Sequence, residues 1–282
     1  MAPDDLSATP RELDNLPTVT ADLLYIQPSD EAPYVYAYEP PEGVPWSNAE
    51  YAPHAVAIHN ARAISGSLSL DREGIAFARS ASAVKDFYDE AEVDSLGHAE
   101  AAALVARITG ASRVEVFDHT QRKSTSEPSR APAFPRQPVT RVHNDYTVGS
   151  GPQRVRDLMG GEADELLKRR FAFINVWRPI KGPVINTPLT VCDARSAAPE
   201  DFVVCQMRYA DRTGEIYTVT HSPAHRWLYF PRMTTDETIL IKCYDSREDV
   251  ARFAPHVAFD DPATPPDAAP RESIEIRTVA FF

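Results

Sequence analysis

A chain of 282 residues, 43% hydrophobic and 25% charged, has the make-up of a folded protein of one large or two small domains. Its 25 prolines against 11 glycines argue against long uninterrupted helices, and so against an α-solenoid or bundle. The 41 acidic and 29 basic residues give a net charge of -12, which excludes a general nucleic-acid binder but leaves room for a local anion pocket.

No stretch approaches the roughly 20 apolar residues of a membrane span. The opening Met1–Asp5 is acidic and lacks the basic region and apolar core of a signal peptide. The expectation is a cytoplasmic protein without membrane contacts. Cys192, Cys205 and Cys243 are odd in number and far apart, unlike a disulfide framework or a zinc knuckle. Three reduced, buried thiols are expected.

Residues 1–55 mix prolines with short alternating runs, Leu23–Ile26 and Tyr34–Tyr38, and read as a Pro-rich β-ribbon extension. Alternation returns over 66–82, around Ile75 and Phe77. One helix is clear: Ser95 as N-cap, His98 to Ile108 as its body, Gly110 as its stop. Val114–Phe117 follows as a strand, then a polar, Pro-rich loop over 120–139. Val139–Tyr146 reads as a strand, and two short helical pieces break at Gly160–Gly161. From Phe171 onward come strands at Phe171–Trp177, Leu189–Cys192, Val203–Tyr209, Glu215–Thr220, Arg226–Tyr229, Thr238–Tyr244, His256–Phe259 and Ser273–Phe281. Many short strands with little helix indicate a mainly β core, a sandwich or barrel with flanking helices, in a single domain over 1–282.

His143-Asn-Asp145 carries the first chemistry. Positions i and i+2 of a strand share a face, so an imidazole and a carboxylate converge on one point. Together with a distant second His they make the facial triad of non-haem iron oxygenases. The tripeptide alone is weak, since this composition yields roughly 0.6 copies by chance. The rest of the pattern adds weight: His256 arrives late, on another strand, and Arg271 and Arg277 follow it. An arginine there can grip the far carboxylate of a metal-chelating dicarboxylate with two parallel hydrogen bonds. His225, with Arg232 nearby, is the rival second His, and His221 a third; spacing and context favour His256. Asp118 and His119 form another pair, but adjacent strand residues face opposite ways and cannot share a metal. Lys242 and Arg141 are further cations to account for.

Several runs in order resemble one family: Val142-His-Asn-Asp-Tyr-Thr147, Phe173-Ile-Asn-Val-Trp-Arg-Pro-Ile180, Pro188-Leu-Thr-Val-Cys-Asp193, Lys242-Cys-Tyr-Asp-Ser246, Pro255-His-Val-Ala-Phe259 and Arg271-Glu-Ser-Ile-Glu-Ile-Arg277. The chain resembles, over roughly residues 20 to 282, the group holding the fungal gibberellin desaturase, the AsaB-type hydroxylase/desaturases and the cephamycin-pathway hydroxylase CmcJ. The resemblance implies a double-stranded β-helix (jelly roll, cupin-like) core and Fe(II)/2-oxoglutarate-dependent oxidation of a small-molecule substrate by O2. A methyltransferase label also occurs in this group, but no Gly-rich strand-to-helix loop for S-adenosylmethionine is present.

Carried over, His143, Asp145 and His256 are the implied iron ligands, and Arg271 or Arg277 the implied partner of 2-oxoglutarate. Between the two arginines the sequence does not choose. Arg178, Tyr146 and Trp177 are the candidate substrate contacts, Arg178 for a substrate carboxylate if it faces inward. Asn175 and Trp177 share one strand face, and Arg178 takes the other. The alternatives are a cupin-like metalloenzyme that uses no 2-oxoglutarate and a non-catalytic jelly-roll module whose aromatics, Trp227 and Tyr229, hold a ligand.

Overall fold

The computed structural model describes residues 13, 15–125 and 135–282. Fourteen strands dominate them. The first five are β1 (Thr18–Ile26), β2 (Tyr34–Tyr36), β3 (Tyr51–Asn60), β4 (Ile75–Arg79) and β5 (Arg113–Lys123). Then come β6 (His143–Asn144), β7 (Phe171–Lys181), β8 (Leu189–Cys192), β9 (Phe202–Arg208) and β10 (Thr213–Val219). The last four are β11 (Trp227–Tyr229), β12 (Glu237–Asp245), β13 (His256–Ala258) and β14 (Glu272–Phe281).

They form two sheets, ordered β1-β3-β11-β8-β13-β6-β10-β9-β2 and β4-β12-β7-β14-β5. Nearly all pairings are antiparallel; β3 with β11 and β2 with β9 run parallel. This is the jelly-roll architecture. The N-terminal segment supplies β1 and β2, which lie at opposite edges of the nine-stranded sheet.

The alternation of β7 decides how the layers stack. Phe171, Phe173 and Trp177 point between the sheets, where they meet Ile239 and Ile241 of β12, Val191 of β8 and Leu228 of β11. The intervening Ala172, Ile174 and Val176 point outward, with Ile274 and Ile276 of β14, under Leu104 and Val105 of a helix. A period of two thus serves two cores with one strand. Each fully buried Phe or Ile contributes roughly 1.5–3 kcal/mol of hydrophobic stabilisation, which fixes the register of the central strands. A third core, with Tyr25, Trp227, Val257 and Phe259, covers the other face of the nine-stranded sheet.

That helix, α1 (His98–Thr109), ends as expected at Gly110, left-handed at φ 73°. Its start differs. Asp89, not Ser95, is the N-cap: its carboxylate accepts from the amides of Ala91 and Glu92. A π-wound turn, Val93–Gly97, then runs straight into α1, and the Ser95 hydroxyl donates back to the Ala91 carbonyl at 2.7 Å. A carboxylate that takes two orphan amides is the better cap, so the helical segment opens earlier.

Two strands also differ from expectation. The strand expected over Val139–Tyr146 is only two residues long, because the chain leaves the nine-stranded sheet after Asn144. β5, by contrast, continues to Lys123, into the expected loop, because β14 pairs with it as far as Glu272 opposite Lys123. Residues 126–134 of that loop lie outside the described residues. All three cysteines are free and buried, as expected. No helix among the described residues is long and apolar enough to cross a membrane.

Candidate metal centre and active site

β6 and β13 are neighbours in the nine-stranded sheet, and their pairing sets His143 directly opposite His256. The ring centroids lie 4.5 Å apart. Two residues beyond His143, Asp145 brings its Oδ1 to 3.6 Å from His143 Nε2. One donor atom from each of the three residues falls within 4.8 Å of the others.

Backbone carbonyls orient both rings. His143 Nδ1 lies 2.8 Å from the Arg141 carbonyl, and His256 Nδ1 lies 3.1 Å from that of Ala254. A carbonyl only accepts, so each Nδ1 carries the proton and each Nε2 keeps its lone pair for a metal. Burial, aided by His256, pushes the pKa of His143 down to about 3. The ring is therefore neutral near pH 7. Burial would raise Asp145, but Arg277 and the two imidazoles outweigh it and hold the carboxyl well below the usual range. A carboxylate and two imidazoles suit a divalent cation.

The five-stranded sheet holds the carboxylate from across the interior. Asn175 of β7 donates from Nδ2 to Asp145 Oδ2 at 2.7 Å. Arg277 of β14, opposite Asn175 in register, lies 3.5 Å from the same oxygen through Nε. Arg277 is already engaged: it donates to Asp118 at 2.8 Å, to Glu275 at 2.6 Å and to Thr120 at 3.1 Å.

Arg271 differs. Only 3% exposed, it donates from Nη1 to the Thr187 carbonyl at 2.8 Å, and its guanidinium stands 5.6 Å from the centre of the Trp177 ring. Its Nε has no partner, and it makes no ion pair with any described carboxylate. Burial, with Arg122 adding to it, lowers its pKa to about 9. Arg122 lies on β5 with its Nη1 on the Gln137 carbonyl at 2.8 Å, and burial lowers its pKa as well. A buried guanidinium without a carboxylate partner, as at Arg271, is suited to receive an anion.

Of the remaining candidates, Tyr146 is buried in the interior and stacks on Phe173 at 4.2 Å. Trp177 shares that interior. Arg178 does not: it lies on the outer face of β7, donates to the carbonyls of Ser80 and Thr235, and sits 3.9 Å from Glu100 of α1. That placement gives a substrate-carboxylate role for Arg178 no support. Lys242 is buried in ion pairs with Asp71 and Asp245, and Arg141 lies over the Tyr51 ring. The rival His225 is tied to Asp201 at 3.0 Å and to Tyr25 at 3.2 Å, and His221 stacks on His54. Neither joins the triad.

Two groups near the site are not signalled by the sequence. The Asn175–Asp145 bond joins residues from different sheets and leaves no local pattern. Arg122 shares a strand face with Asp118 and Thr120, but the segment carrying it reads as a loop.

A jelly-roll interior that converges two imidazoles and a carboxylate, with an unpaired buried guanidinium in the same interior, defines the class: a non-haem metal oxygenase with an anionic cosubstrate. Comparisons with known proteins agree. Residues 23–281 match the family model described as an oxidoreductase/YMDC permease-like domain. The Fe(II)/2-oxoglutarate-dependent dioxygenase nvfI of Aspergillus novofumigatus is 34% identical over 270 residues, 93% of this chain and 96% of that protein. The hydroxylase/desaturase efuI of Hormonema carpetanum is 32% identical over 255 residues, covering 83% and 85%. The solved structure of the iron and alpha-ketoglutarate-dependent endoperoxidase NvfI superposes with a TM-score of 0.85 at 33% identity, covering 94% of this chain and 98% of that one. The chain belongs to the Fe(II)/2-oxoglutarate-dependent dioxygenases, in the hydroxylase/desaturase group of secondary metabolism.

Proposed function

We propose that His143, Asp145 and His256 hold the iron and that Arg271, not Arg277, receives the distal carboxylate of 2-oxoglutarate. The observation that carries this reading is the contrast between the two guanidinium groups: Arg277 is saturated by Asp118, Glu275 and Thr120, whereas Arg271 is buried with a free Nε. Arg122 adds positive charge to the same region, and the Trp177 ring flanks the Arg271 guanidinium. Arg277 instead positions Asp145, together with Asn175.

When bound, the iron and its cosubstrate supply the oxidising chemistry, which takes a hydrogen from an unactivated C–H bond of the substrate. The chain's own part is to keep the His143 and His256 lone pairs available, hold the carboxylate charged and exclude water from the interior. The substrate is a small molecule, with Tyr146 and Trp177 among its contacts. The aromatic surroundings of Tyr146, stacked on the buried Phe173, favour a substrate with a largely hydrocarbon skeleton.

Succinate release from 2-oxoglutarate by the Fe(II)-loaded protein tests the assignment. In Arg271→Met, the KM for 2-oxoglutarate should rise on the order of a hundredfold, the loss of a charge-assisted bidentate contact. Iron affinity should barely change. An unchanged KM in Arg271→Met beside a raised one in Arg277→Met would reverse the assignment.

A further inference from the structure

On the far side of the five-stranded sheet, a second set of metal-capable donors converges. Asp94 lies in the π-wound turn, His98 opens α1, and His119 stands on the outward face of β5. Their donor atoms fall within 4.8 Å of one another. His98 Nε2 is 3.0 Å from His119 Nδ1, and Asp94 Oδ1 lies 3.6 Å from the first and 3.8 Å from the second. The point equidistant from all three, in their plane, is about 2.0 Å from each, close to zinc–nitrogen and zinc–carboxylate bond lengths.

Hydrogen bonds behind the cluster orient it. His119 Nε2 lies 3.0 Å from Glu90 Oε2, so a proton on Nε2 leaves the Nδ1 lone pair aimed at His98 and Asp94. Glu90 is itself anchored, since its Oε1 accepts from Gln121 Nε2 at 3.2 Å and Gln121 is buried. A metal-bound imidazole whose second nitrogen donates to a fixed carboxylate is the arrangement that sets ring orientation and raises ligand basicity. The inner side is tight, with His119 side chain 10% exposed, and the outer side is open, with that of Asp94 62% exposed. That leaves room for water as a fourth ligand. Asp118, next to His119, points the other way, to Arg277, and takes no part.

We propose that Asp94, His98 and His119 form a second divalent-metal site, of zinc type, separate from the iron triad. Two imidazoles and a carboxylate with one open position match the ligand preferences of Zn2+ better than those of Mg2+ or Ca2+. The ion clips the entry of α1 to β5, the edge strand of its sheet. β5 carries Asp118, Thr120 and Arg122 toward the interior, so a fixed β5 also fixes the groups that surround Arg277 and Arg271.

Metal-stripped protein dialysed against micromolar Zn2+, with bound zinc counted by mass spectrometry, tests the site. Wild type should hold two ions, His143→Ala/His256→Ala one, Asp94→Ala/His98→Gln one, and the combined variant none. Asp94 is exposed, so Asp94→Ala alone keeps the fold and should weaken binding at one of the two sites by at least tenfold. Zinc should raise the melting temperature of the iron-triad variant less once Asp94→Ala is added. If folded His143→Ala/His256→Ala takes up no zinc, or its uptake is indifferent to Asp94→Ala, the cluster is only a His–His–Glu hydrogen-bond chain and the proposal is overturned. Should the triad variant fail to fold, nitrogen shifts of His98 and His119 in iron-loaded wild type, followed as zinc is added, decide the same question: both move, or the proposal fails.

Discussion

Asn175 donates from Nδ2 to Asp145 Oδ2 at 2.7 Å, and so ties the carboxylate of the proposed metal site to the opposite sheet. Without that bond, Asp145 sits on a chain segment that leaves its own sheet after Asn144 and has freedom to turn. A positioning role follows, and it has a measurable signature. Asn175→Leu keeps the volume and removes the donor. Its affinity for Fe(II) or Co2+ should fall about 10–100-fold, as for outer partners of other metal ligands. Anaerobic titration reads this; an unchanged affinity in a folded variant would show that Arg277 alone suffices.

The pH dependence of the metal-free protein should carry the mark of His143. Its folded pKa, pushed down to about 3, lies below the ordinary 6.5. Between those values the unfolded chain binds a proton that the folded chain refuses. The stability is therefore present above pH 6.5 and is lost as pH falls toward 3, at up to about 1.4 kcal/mol per pH unit. Asp145, also lowered, adds loss in the same direction at still lower pH. Urea midpoints of wild type and His143→Gln should converge as pH is lowered from 7 to 4. Parallel curves would contradict this account.

Lys242 and Asp245 are 1% and 0% exposed at the side chain and lie 2.7 Å apart, with Asp71 and Arg170 extending the network. Lys242→Met leaves Asp245 with Arg170 as its remaining ion-pair partner and should cost about 1–3 kcal/mol. Lys242→Met with Asp245→Leu should cost less than the sum of the two single changes, because both remove the same buried ion pair. A double-mutant cycle by chemical denaturation measures the coupling.

The three thiols should be inert in the folded state. Burial pushes Cys192 up to about 12 and Cys205 to about 11, and Cys243 well above its ordinary value. The thiolate is the reactive form, so labelling by a thiol reagent at pH 8 should be slow and should follow the global unfolding rate. Rapid labelling of one cysteine in native buffer would locate a local opening.

Much of this protein is legible in its sequence, for local reasons. Alternating runs from Phe171 to Phe281 mark strands, since a period of two is a property of the chain itself. Leu189–Cys192 coincides with β8, and Gly110 closes α1 where a left-handed residue is needed. The His143-x-Asp145 spacing, weak alone, and the late His256 are visible in the chain, and the structure brings the three side chains together. The boundaries of β5 and β6 are not legible in the same way, because pairing with β14 extends one and departure across the interior shortens the other.

What the sequence by itself determined is thus a proline-punctuated, strand-rich, acidic chain whose His-x-Asp and distant His foretell a metal. The tertiary structure alone decided which arginine is free, that Arg178 faces α1 rather than the interior, and that His119 meets His98 and Asp94. Alternation tells which residues share a face, but not which face turns inward. That choice depends on register between strands far apart in the chain, such as β7 with β14, where the burial of two separate cores selects a single pairing.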